Sequence, residues 1–504
     1  MDIQVAVLDY GSQYSQLIVR RIREQGYFAK LFPPAELPDL DGISAVVLSG
    51  GPRSVTEEGA PDVHLEVLRR LNVPVLGICY GMQLLSRRLG GEVKSRATRE
   101  YGPAKLMVED DEVLLAGVKD RSRIWMSHSD SVKALPEGAS VLARNGAGAP
   151  VALRFAECWF GIQFHPEVTH TEDGTRILRN FLSLIPEGPR FSMASFKEEL
   201  LRRIREEVGA RKVVCAVSGG VDSTVLAVLL HEAQVPLHCI FVDHGLLRKD
   251  EGDQVMASFA ALGVEVDRID CGDRFLAALQ GIEDPEEKRR TIGDLFIDEF
   301  FGHATDLELL AQGTLYPDVI ESATSGSIAS RIKTHHNRVD RILELQKQGK
   351  VIEPLAELFK DEVRALGHTL GIPDDLVYRH PFPGPGLAVR IPGEVTAEKV
   401  AIVQEADAVF IQALKDSDWY RKTWQAYAAI LPVRTVGVKG DERSHEWCIA
   451  LRAVISEDAM TADWVELPYP LLRDVSNHIL NGVDGVNRVL YDISTKPPAT
   501  IEWE

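Results

Sequence analysis

Features of secreted and membrane proteins are missing from this 504-residue sequence. Its six cysteines form no CxxC pair, which argues against a disulfide framework and favours a reducing compartment. The longest apolar run, residues 212–242, is interrupted by glycine and charged residues, and the opening segment MDIQVAVLDYG has no signal-peptide pattern. We therefore expect a cytoplasmic protein with no membrane partner.

A surplus of positive charge is also missing. The 56 lysine and arginine residues are outnumbered by 75 aspartate and glutamate residues, which gives a formal net charge of −19. This balance disfavours general binding to duplex nucleic acid, which relies on a basic surface. It does not exclude small phosphate ligands, because a few backbone amides and basic side chains suffice for them. The expected partners are small molecules, not nucleic acid.

Repeats and low-complexity tracts are absent as well, and the length indicates roughly two to four domains. Short β-branched runs at 5–8, 45–48 and 75–78 predict buried strands. Amphipathic stretches at 12–25 and 62–71 predict the helices between them. Such alternation of strands and helices is typical of a parallel α/β sheet.

Two breaks divide the chain. A segment with two prolines and a glycine at 185–190 predicts a linker, and 379–386 carries three prolines and two glycines. Between them, strands are predicted at 212–217 and 237–242 around a helix at 224–233. The predicted fold class is α/β: two doubly wound parallel-sheet domains at 1–187 and 188–378, followed by a smaller α+β domain at 379–504.

The first candidate nucleophile is Cys79, in the run Gly77-Ile-Cys-Tyr-Gly81 between a predicted strand and a predicted helix. On such a turn a nucleophile is exposed, and the helix N-terminus lowers a thiol pKa and offers amides to an oxyanion. A lone cysteine after a strand is more commonly an inert buried thiol. Cys79 therefore needs a partner before it becomes a catalytic candidate.

His165 and Glu167, in the run QFHPE, can supply that partner. In an extended backbone, residues two apart project to the same side. Glu167 can then orient the imidazole while His165 activates the thiol. Taken alone, HPE is more simply explained as a surface turn with a solvated glutamate.

Together, GICYGMQ and QFHPE closely resemble the catalytic motifs of class I glutamine amidotransferases, over roughly residues 1–185. The resemblance implies that Cys79 forms a glutamyl thioester and releases ammonia, with His165 and Glu167 completing a triad. It also implies an oxyanion site built from backbone amides, at Gly51 in the Ser49–Pro52 loop and at Tyr80.

A second motif, SGGVDST, lies between a predicted strand and a predicted helix. Its two glycines permit close backbone approach, and amides at a helix start form a nest for phosphate. The Walker lysine is absent, so phosphoryl transfer of the kinase type is not indicated. The string resembles the pyrophosphate loop of ATP pyrophosphatases. That resemblance implies ATP as co-substrate, adenine near Val242, and ATP contacts from Ser218, Gly219, Gly220, Val221, Asp222, Ser223 and Thr224.

Later motifs, taken in order, resemble glutamine-hydrolysing GMP synthetases over essentially the whole chain. They lie at 284–290, 311–322, 332–337, 379–386 and 496–504. The resemblance implies conversion of XMP, ATP, glutamine and water into GMP, AMP, pyrophosphate and glutamate through an adenyl-XMP intermediate. It further implies Mg²⁺ with Asp222 as a ligand, and a homodimer formed through the C-terminal domain.

The XMP-binding residues implied by this resemblance are Arg289, Pro383, Gly384, Lys496, Ile501 and Glu502. In the family pattern Arg289 and Lys496 meet the phosphate, Glu502 meets the base, and PFPGPG forms a wall. Plainer explanations exist: an exposed helix face, a linker and a frayed tail. Lys360 fits a helix surface as well as a position near the leaving pyrophosphate, and His335 and His336 fit a solvated loop.

Three departures from the family pattern are visible: His244 replaces an expected Asn, Arg338–Asp340 replaces Val-Gly-Gly, and Ser129 replaces a usual Gly. Two other functions stay open, a different pyrophosphatase-fold enzyme such as NAD synthetase or a tRNA-thiolation enzyme, and a catalytically silent nucleotide sensor. The acidic balance and the core-type neighbours of Cys215 and Cys239 argue against tRNA thiolation. The intact motifs argue against the sensor.

Overall fold

A computed structural model describes residues 3–34, 42–188, 190–319, 336–439, 442–456 and 461–504. The chain forms two compact units, Met1–Phe196 and Lys197–Glu504. The division of the second unit at residues 378 and 379 stays a prediction.

The first unit is built on a nine-stranded sheet. Its strands are β1 Val5–Leu8, β2 Ala29–Phe32, β3 Ala45–Leu48, β4 Val75–Ile78, β5 Glu92–Val108, β6 Arg123–Ala134, β7 Ser140–Asn145, β8 Pro150–Ala156 and β9 Trp159–Ile162. Its helices are α1 Ser15–Glu24, α2 Leu65–Leu71, α3 Tyr80–Arg88 and α4 Gly174–Leu182. A 3₁₀ turn covers Val113–Leu115.

Five strands of this sheet are parallel, in the order β2-β1-β3-β4-β9. Strands β1, β3 and β4 are fully buried four-residue runs, so the three strands predicted there are confirmed. Burial on both faces explains their continuous apolar sequence. Because β4 and β9 are parallel neighbours, the residues that follow them lie at the same edge of the sheet.

The remaining strands, β8, β7, β5 and β6, extend the sheet in antiparallel fashion from β9. The sequence pattern does not predict this extension. Strand β5 is long, contains Gly102 and Pro103, and pairs with β6 through register shifts, so it lacks a regular apolar alternation.

The second unit contains a five-stranded parallel sheet in the order β12-β11-β10-β13-β14. The strands are β10 Val213–Val217, β11 Leu237–Asp243, β12 Val266–Asp270, β13 Leu309–Ala311 and β14 Val351–Ile352. The first strand lies in the middle, as in doubly wound folds, where ligands bind beyond the carboxyl ends of the strands.

Helices accompany this sheet, beginning with α5 Met193–Val208, which spans the boundary between the two units. The others are α6 Val221–Glu232, α7 Glu251–Ala261, α8 Gly272–Ala278, α9 Pro285–His303, α10 His336–Lys347, α11 Lys360–Thr369 and α12 Asp374–Val377. The predicted helix at 224–233 is therefore confirmed, with its start three residues earlier. A 3₁₀ segment, Gly386–Arg390, follows the proline-rich run.

A third sheet completes the second unit. It comprises β15 Gln425–Lys439, β16 Glu442–Ile455, β17 Asp463–Trp464 and β18 Val486–Tyr491, with α13 Ala397–Asp416 and α14 Tyr469–Gly482. Val403 and Phe410 of α13 belong to the same buried cluster as Ile430 of β15 and Ile449 of β16. The predicted α/β fold with a C-terminal α+β region is confirmed. Within the described ranges, no helix combines the length and apolar character needed to cross a bilayer.

Candidate active sites

Cys79 occupies a strained turn between β4 and α3. Its backbone has φ +52° and ψ −102°, a left-handed conformation that is costly for a residue with a side chain. The side chain lies at the N-terminus of α3, where the helix dipole favours negative charge. Strain of this kind is typical of a nucleophile presented on a tight turn.

The glycines on either side make this turn possible. A Cβ atom on Gly77 would lie 2.5 Å from the backbone of Gly81, and one on Gly81 would overlap the carbonyl oxygen of Leu48. The backbones of β4, β3 and α3 therefore approach more closely than any side chain allows. The spacing Gly-x-Cys-x-Gly follows from this packing.

His165 and Glu167 lie beside the turn, beyond the end of β9. Nδ1 of His165 is 2.7 Å from Oε1 of Glu167, and both side chains are buried. The thiol of Cys79 is within hydrogen-bonding reach of the same imidazole. The structure thus brings together all three residues predicted to form the triad.

The surroundings of His165 favour its charged form. Burial opposes protonation, but the carboxylate of Glu167 and the thiol of Cys79 together raise the pKa of His165 well above its ordinary value. Nε2 of Gln163 also donates toward the sulfur of Cys79 at 3.6 Å.

The triad opens onto a cavity of about 390 Å³, whose lining includes Gly51, Cys79 and His165. The amide of Tyr80 is at the first residue of α3, where backbone N–H groups have no partner within the helix. The Tyr80 side chain points elsewhere, and its hydroxyl donates to the carbonyl oxygen of Pro61. Only the backbone of Tyr80 is therefore available to an oxyanion.

Ser49 makes hydrogen bonds to residues next to the two backbone positions predicted to form the oxyanion site, Gly51 and Tyr80. Its carbonyl oxygen accepts from the N–H of Gly81 at 3.0 Å, and its hydroxyl donates to the carbonyl oxygen of Gly50 at 2.9 Å. The same hydroxyl accepts from the N–H of Tyr10 at 3.0 Å. The loop that carries Gly51 is thus fixed to the start of α3.

Polar residues to which the sequence assigned no role also line this cavity, among them Gln83. Nε2 of Gln83 donates to the carbonyl oxygen of Asp130 at 3.0 Å and to Oε1 of Gln163 at 3.2 Å. Gln83 and Gln163 belong to the runs GICYGMQ and QFHPE, so their place in the motifs was the available signal. Ser129, one of the departures, also lines the cavity.

The phosphate loop of the second unit joins β10 to α6. Gly219 has φ +71°, and a Cβ atom there would overlap Val255. The hydroxyls of Ser218 and Ser223 are 3.1 Å apart, and Oγ1 of Thr224 donates to the carbonyl oxygen of Gly220 at 2.9 Å. Ser223 and Thr224 therefore brace the loop.

Asp222, at the start of α6, faces Lys360 at the start of α11. Nζ of Lys360 pairs with Oδ2 of Asp222, while Oδ1 of Asp222 is buried and has no hydrogen-bond partner. An ammonium and a carboxylate oxygen at the N-terminus of a helix suit a pyrophosphate and its cation. No group of three or more possible metal ligands is found among the described residues.

A cavity of about 550 Å³ extends from this loop. Residues from five separate segments line it, among them the predicted residues Ser218, Gly219, Gly220, Val221, Asp222, Val242, Arg289, Pro383 and Gly384. Arg289 also pairs with Glu286 on its own helix. The phosphate loop, Arg289 of α9 and the proline-rich run 379–385 thus line one cavity.

Among the described residues that line this cavity, none belongs to the C-terminal segment 496–504. The predicted XMP contacts of that segment are Lys496, Ile501 and Glu502. The backbone of Lys496 pairs with Ala462 in an antiparallel bridge. Ile501 is buried against Val454 and Ala462, and Glu502 accepts from Arg390 and from Gln425. Their predicted contacts with XMP stay predictions.

Several lining residues of the larger cavity were not assigned from the sequence. Arg379 donates to the carbonyl oxygen of Gly219 at 3.1 Å and pairs with Glu251. His380 stacks on Tyr420 with ring centroids 3.7 Å apart, and burial lowers its pKa to about 4. Arg379 and His380 belong to the run 379–386, whose prolines and glycines are also typical of a linker.

His244, a departure from the family pattern, also lines the larger cavity. Burial lowers its pKa to about 4, and its Nδ1 accepts from the N–H of Leu246 at 3.1 Å. The motif Ile332–Asn337 is a different case, since His335 and the side chain of His336 lie outside the described residues.

Comparison with known proteins divides the chain into three matched regions. Residues 6–185 match the family of class-I glutamine amidotransferases, and residues 193–280 match the PP-loop domain. Residues 412–503 match the GMP synthase C-terminal domain.

Curated relatives cover the full length. A protein of Carboxydothermus hydrogenoformans, named GMP synthase [glutamine-hydrolyzing], is 52% identical over 514 residues, with 100% of both chains covered. A protein of Thermosipho africanus with the same name is 51% identical, with 99% of each chain covered. A solved glutamine amidotransferase of Thermotoga maritima is 22% identical over 40% of this chain and 86% of its own. Its TM-score is 0.29, too low to support a conclusion.

Proposed function

The chain belongs to the glutamine-hydrolyzing GMP synthase family, and we propose that its two cavities divide one synthesis between them. It is a ligase that uses glutamine and ATP to convert XMP into GMP. The assignment of residues to the two half-reactions rests on one observation in each unit. The first unit holds Cys79, His165 and Glu167 together, and the second holds the phosphate loop beside Lys360.

In the first unit, the thiolate of Cys79 attacks the side-chain amide carbon of glutamine. His165 donates its proton to the departing nitrogen, which leaves as ammonia, and a glutamyl thioester stays on the sulfur. Amides of Gly51 and Tyr80 stabilise the tetrahedral oxyanion. Water, deprotonated by His165, then hydrolyses the thioester to glutamate, while Glu167 keeps the imidazole oriented.

In the second unit, the C2 oxygen of XMP attacks the α-phosphorus of ATP, and pyrophosphate leaves. Amides of residues 218–222 and the ammonium of Lys360 stabilise the charge on the leaving group. Ammonia then attacks C2, and AMP departs with the former C2 oxygen. The purine carbonyl oxygen is a poor leaving group, and its adenylation removes that barrier.

Asp222 is proposed as a ligand of Mg²⁺. Its buried, unpartnered Oδ1 fits this role, and Mg²⁺ commonly uses one or two carboxylates together with substrate phosphates. When bound, the ion neutralises charge on the pyrophosphate. Arg289, Pro383, Gly384, Lys496, Ile501 and Glu502 are proposed to hold XMP.

The remaining proposals concern assembly and location. A homodimer is proposed through the C-terminal region. It is supported by β15, an edge strand on which Val433, Val436 and Val438 are exposed. Sedimentation of the full chain tests the dimer.

A cytoplasmic location is proposed because all six cysteines are unpaired.

Formation of AMP from ATP tests the proposed reaction. We expect AMP and pyrophosphate to appear only when XMP is present, and GMP to appear when glutamine or an ammonium salt is added. AMP formation that ignores XMP would contradict the proposal. AMP formation that depends on another acceptor instead of XMP would favour a different pyrophosphatase-fold enzyme.

A further inference from the structure

A series of ion pairs and hydrogen bonds starts at the phosphate loop, and the proposed chemistry does not account for it. The carbonyl oxygen of Gly219 accepts from Nη1 of Arg379 at 3.1 Å, and Nη2 of Arg379 pairs with Oε1 of Glu251. The other oxygen of Glu251 accepts from the backbone N–H of Arg248 at 2.7 Å. The phosphate loop is thereby tied to residues 248–251, at the start of α7.

The series continues from Arg248 to the C-terminal segment. Nη1 of Arg248 is 2.8 Å from Oδ2 of Asp407 on α13. Oδ1 of Asp407 accepts from the N–H of Ala428 at 3.1 Å and lies 3.9 Å from Nη1 of Arg390. Arg390 donates to the two oxygens of Glu502 at 3.0 and 3.2 Å. The phosphate loop and the C-terminal segment are thus the two ends of one set of contacts.

Three of the charged residues in this series are buried, and the side chains of Arg248, Arg379 and Glu502 are partly exposed. Arg390 is fully buried, and Asp407 and Glu251 are 1% and 3% exposed. A buried charge that loses its partner is strongly destabilising, so a shift at one pair is resisted by its neighbours. The ring of Phe382, in the wall of the larger cavity, lies 5.5 Å from the Arg248 guanidinium and 5.0 Å from that of Arg390.

We propose that Arg248 and Asp407 are positioning residues that couple the two nucleotides of the synthetase reaction. ATP on the phosphate loop favours the arrangement in which the C-terminal segment holds XMP, and XMP favours ordering of the loop. This inference rests on the proposed assignment of the loop to ATP and of the segment to XMP. Coupling between two ligands is reciprocal, so each must tighten the binding of the other by the same factor.

Calorimetry on the full chain measures this factor. XMP and an ATP analogue that cannot be cleaved between its α- and β-phosphates are each titrated with and without the other. In the unaltered chain we expect XMP to lower the Kd of the analogue about fivefold or more. In Arg248→Met the factor falls to near one, while the Kd of the analogue alone stays the same.

A matched control exists beside this pair. Nζ of Lys249 is 2.9 Å from Oε2 of Glu405, so the pair joins the same two segments, but the side chains are 42% and 47% exposed. Exposed pairs contribute little to stability and tolerate substitution. Lys249→Ala should therefore keep the coupling factor of the unaltered chain.

A double variant separates coupling from simple loss of stability. Arg248→Met removes the closer charge partner of buried Asp407 and leaves only Arg390 at 3.9 Å, whereas Arg248→Met/Asp407→Asn removes the carboxylate charge and keeps an acceptor for Ala428. We expect the double variant to recover thermal stability but not coupling. Coupling that recovers with stability, or none in the unaltered chain, would overturn the inference while XMP-dependent AMP formation stands. Loss of XMP dependence in the unaltered chain would instead overturn the proposed function.

Discussion

Each of the two cavities holds a buried histidine, and the pKa values of the two imidazoles are shifted in opposite directions. His165, in the first unit, is aligned with the carboxylate of Glu167 and has a raised pKa. His244, in the second, is dominated by burial and has a pKa lowered to about 4, although Asp243 lies next to it in sequence. Burial alone therefore does not decide the direction of the pKa shift, because at His165 it is outweighed by the charge of Glu167 together with the hydrogen bonds to Cys79 and Glu167.

The cavities also differ in how far apart in sequence their residues lie. The triad comes from two neighbouring parallel strands, β4 and β9, and each motif is compact. The larger cavity gathers five segments between residues 217 and 385, held together by pairs such as Arg379 with Glu251. The first site is set by local backbone geometry, and the second depends on long-range ion pairs.

The largest expected effect tests whether the first site only supplies ammonia. Cys79→Ala removes the nucleophile, so glutamine-dependent GMP formation should fall by roughly three orders of magnitude or more. GMP formation from ammonium salts should be unchanged, since Cys79 does not line the cavity that contains the phosphate loop. Steady-state assays with each nitrogen source measure both rates.

Cys158→Ala is the control for this substitution, because Cys158 is a free thiol of the same unit that does not line the triad cavity. It should retain both activities. Loss of ammonium-dependent synthesis in folded Cys79→Ala would break the separation between the two sites.

This contrast between the two sites determines which of their residues are predictable from the sequence. Cys79, His165 and Glu167 were identifiable because strand-turn-helix strain and a two-residue spacing leave a local signature. Arg248 and Asp407 are 159 positions apart and have no local pattern, so only the folded chain brings them together. The antiparallel extension around β5 was missed for a similar reason, since its pairing is irregular.

The next effect concerns the phosphate loop. Asp222→Asn removes the charge that faces Lys360 and the proposed metal ligand, so XMP-dependent pyrophosphate release should fall about 100-fold or more. Basal glutamine hydrolysis should persist, because Asp222 is not part of the triad. Asp253→Asn, at an exposed aspartate that pairs with Arg268, is the matched control. Unchanged pyrophosphate release in Asp222→Asn would refute its role.

A smaller effect tests whether the C-terminal segment belongs to the second site. A charge-assisted contact with phosphate contributes about 1.5–3 kcal/mol, or roughly ten- to a hundredfold in binding. Lys496→Ala should therefore raise the KM for XMP about tenfold or more and leave those for ATP and glutamine nearly unchanged. Lys422→Ala, at an exposed lysine of the same unit, should change none of them. An unchanged KM for XMP in a correctly folded variant would remove Lys496 from the nucleotide site.

The smallest effect sharpens the comparison between the two histidines. The pKa of His244 is about 4 in the folded chain, below the ordinary value of 6.5. As pH falls from 6.5 to about 4, the unfolded chain binds a proton that the folded chain does not, so stability is lost over this window. His244→Asn removes this titration and should reduce the loss by about 3 kcal/mol at most, since one pKa unit corresponds to about 1.4 kcal/mol.

Urea unfolding of both chains between pH 8 and pH 4 measures this difference. Above about pH 7 the two stability curves should run parallel, because His244 is neutral in both states there. The two stability curves should converge or cross at lower pH. Only the unaltered chain loses stability there because its His244 stays neutral in the folded state. Part of the pH dependence should persist in the variant, because burial also lowers the pKa of His380 to about 4. If stability changes with pH in the same way in both chains, His244 takes up its proton in the folded state. The pKa of His244 would then not be lowered, and the proposed contrast with His165 would fail.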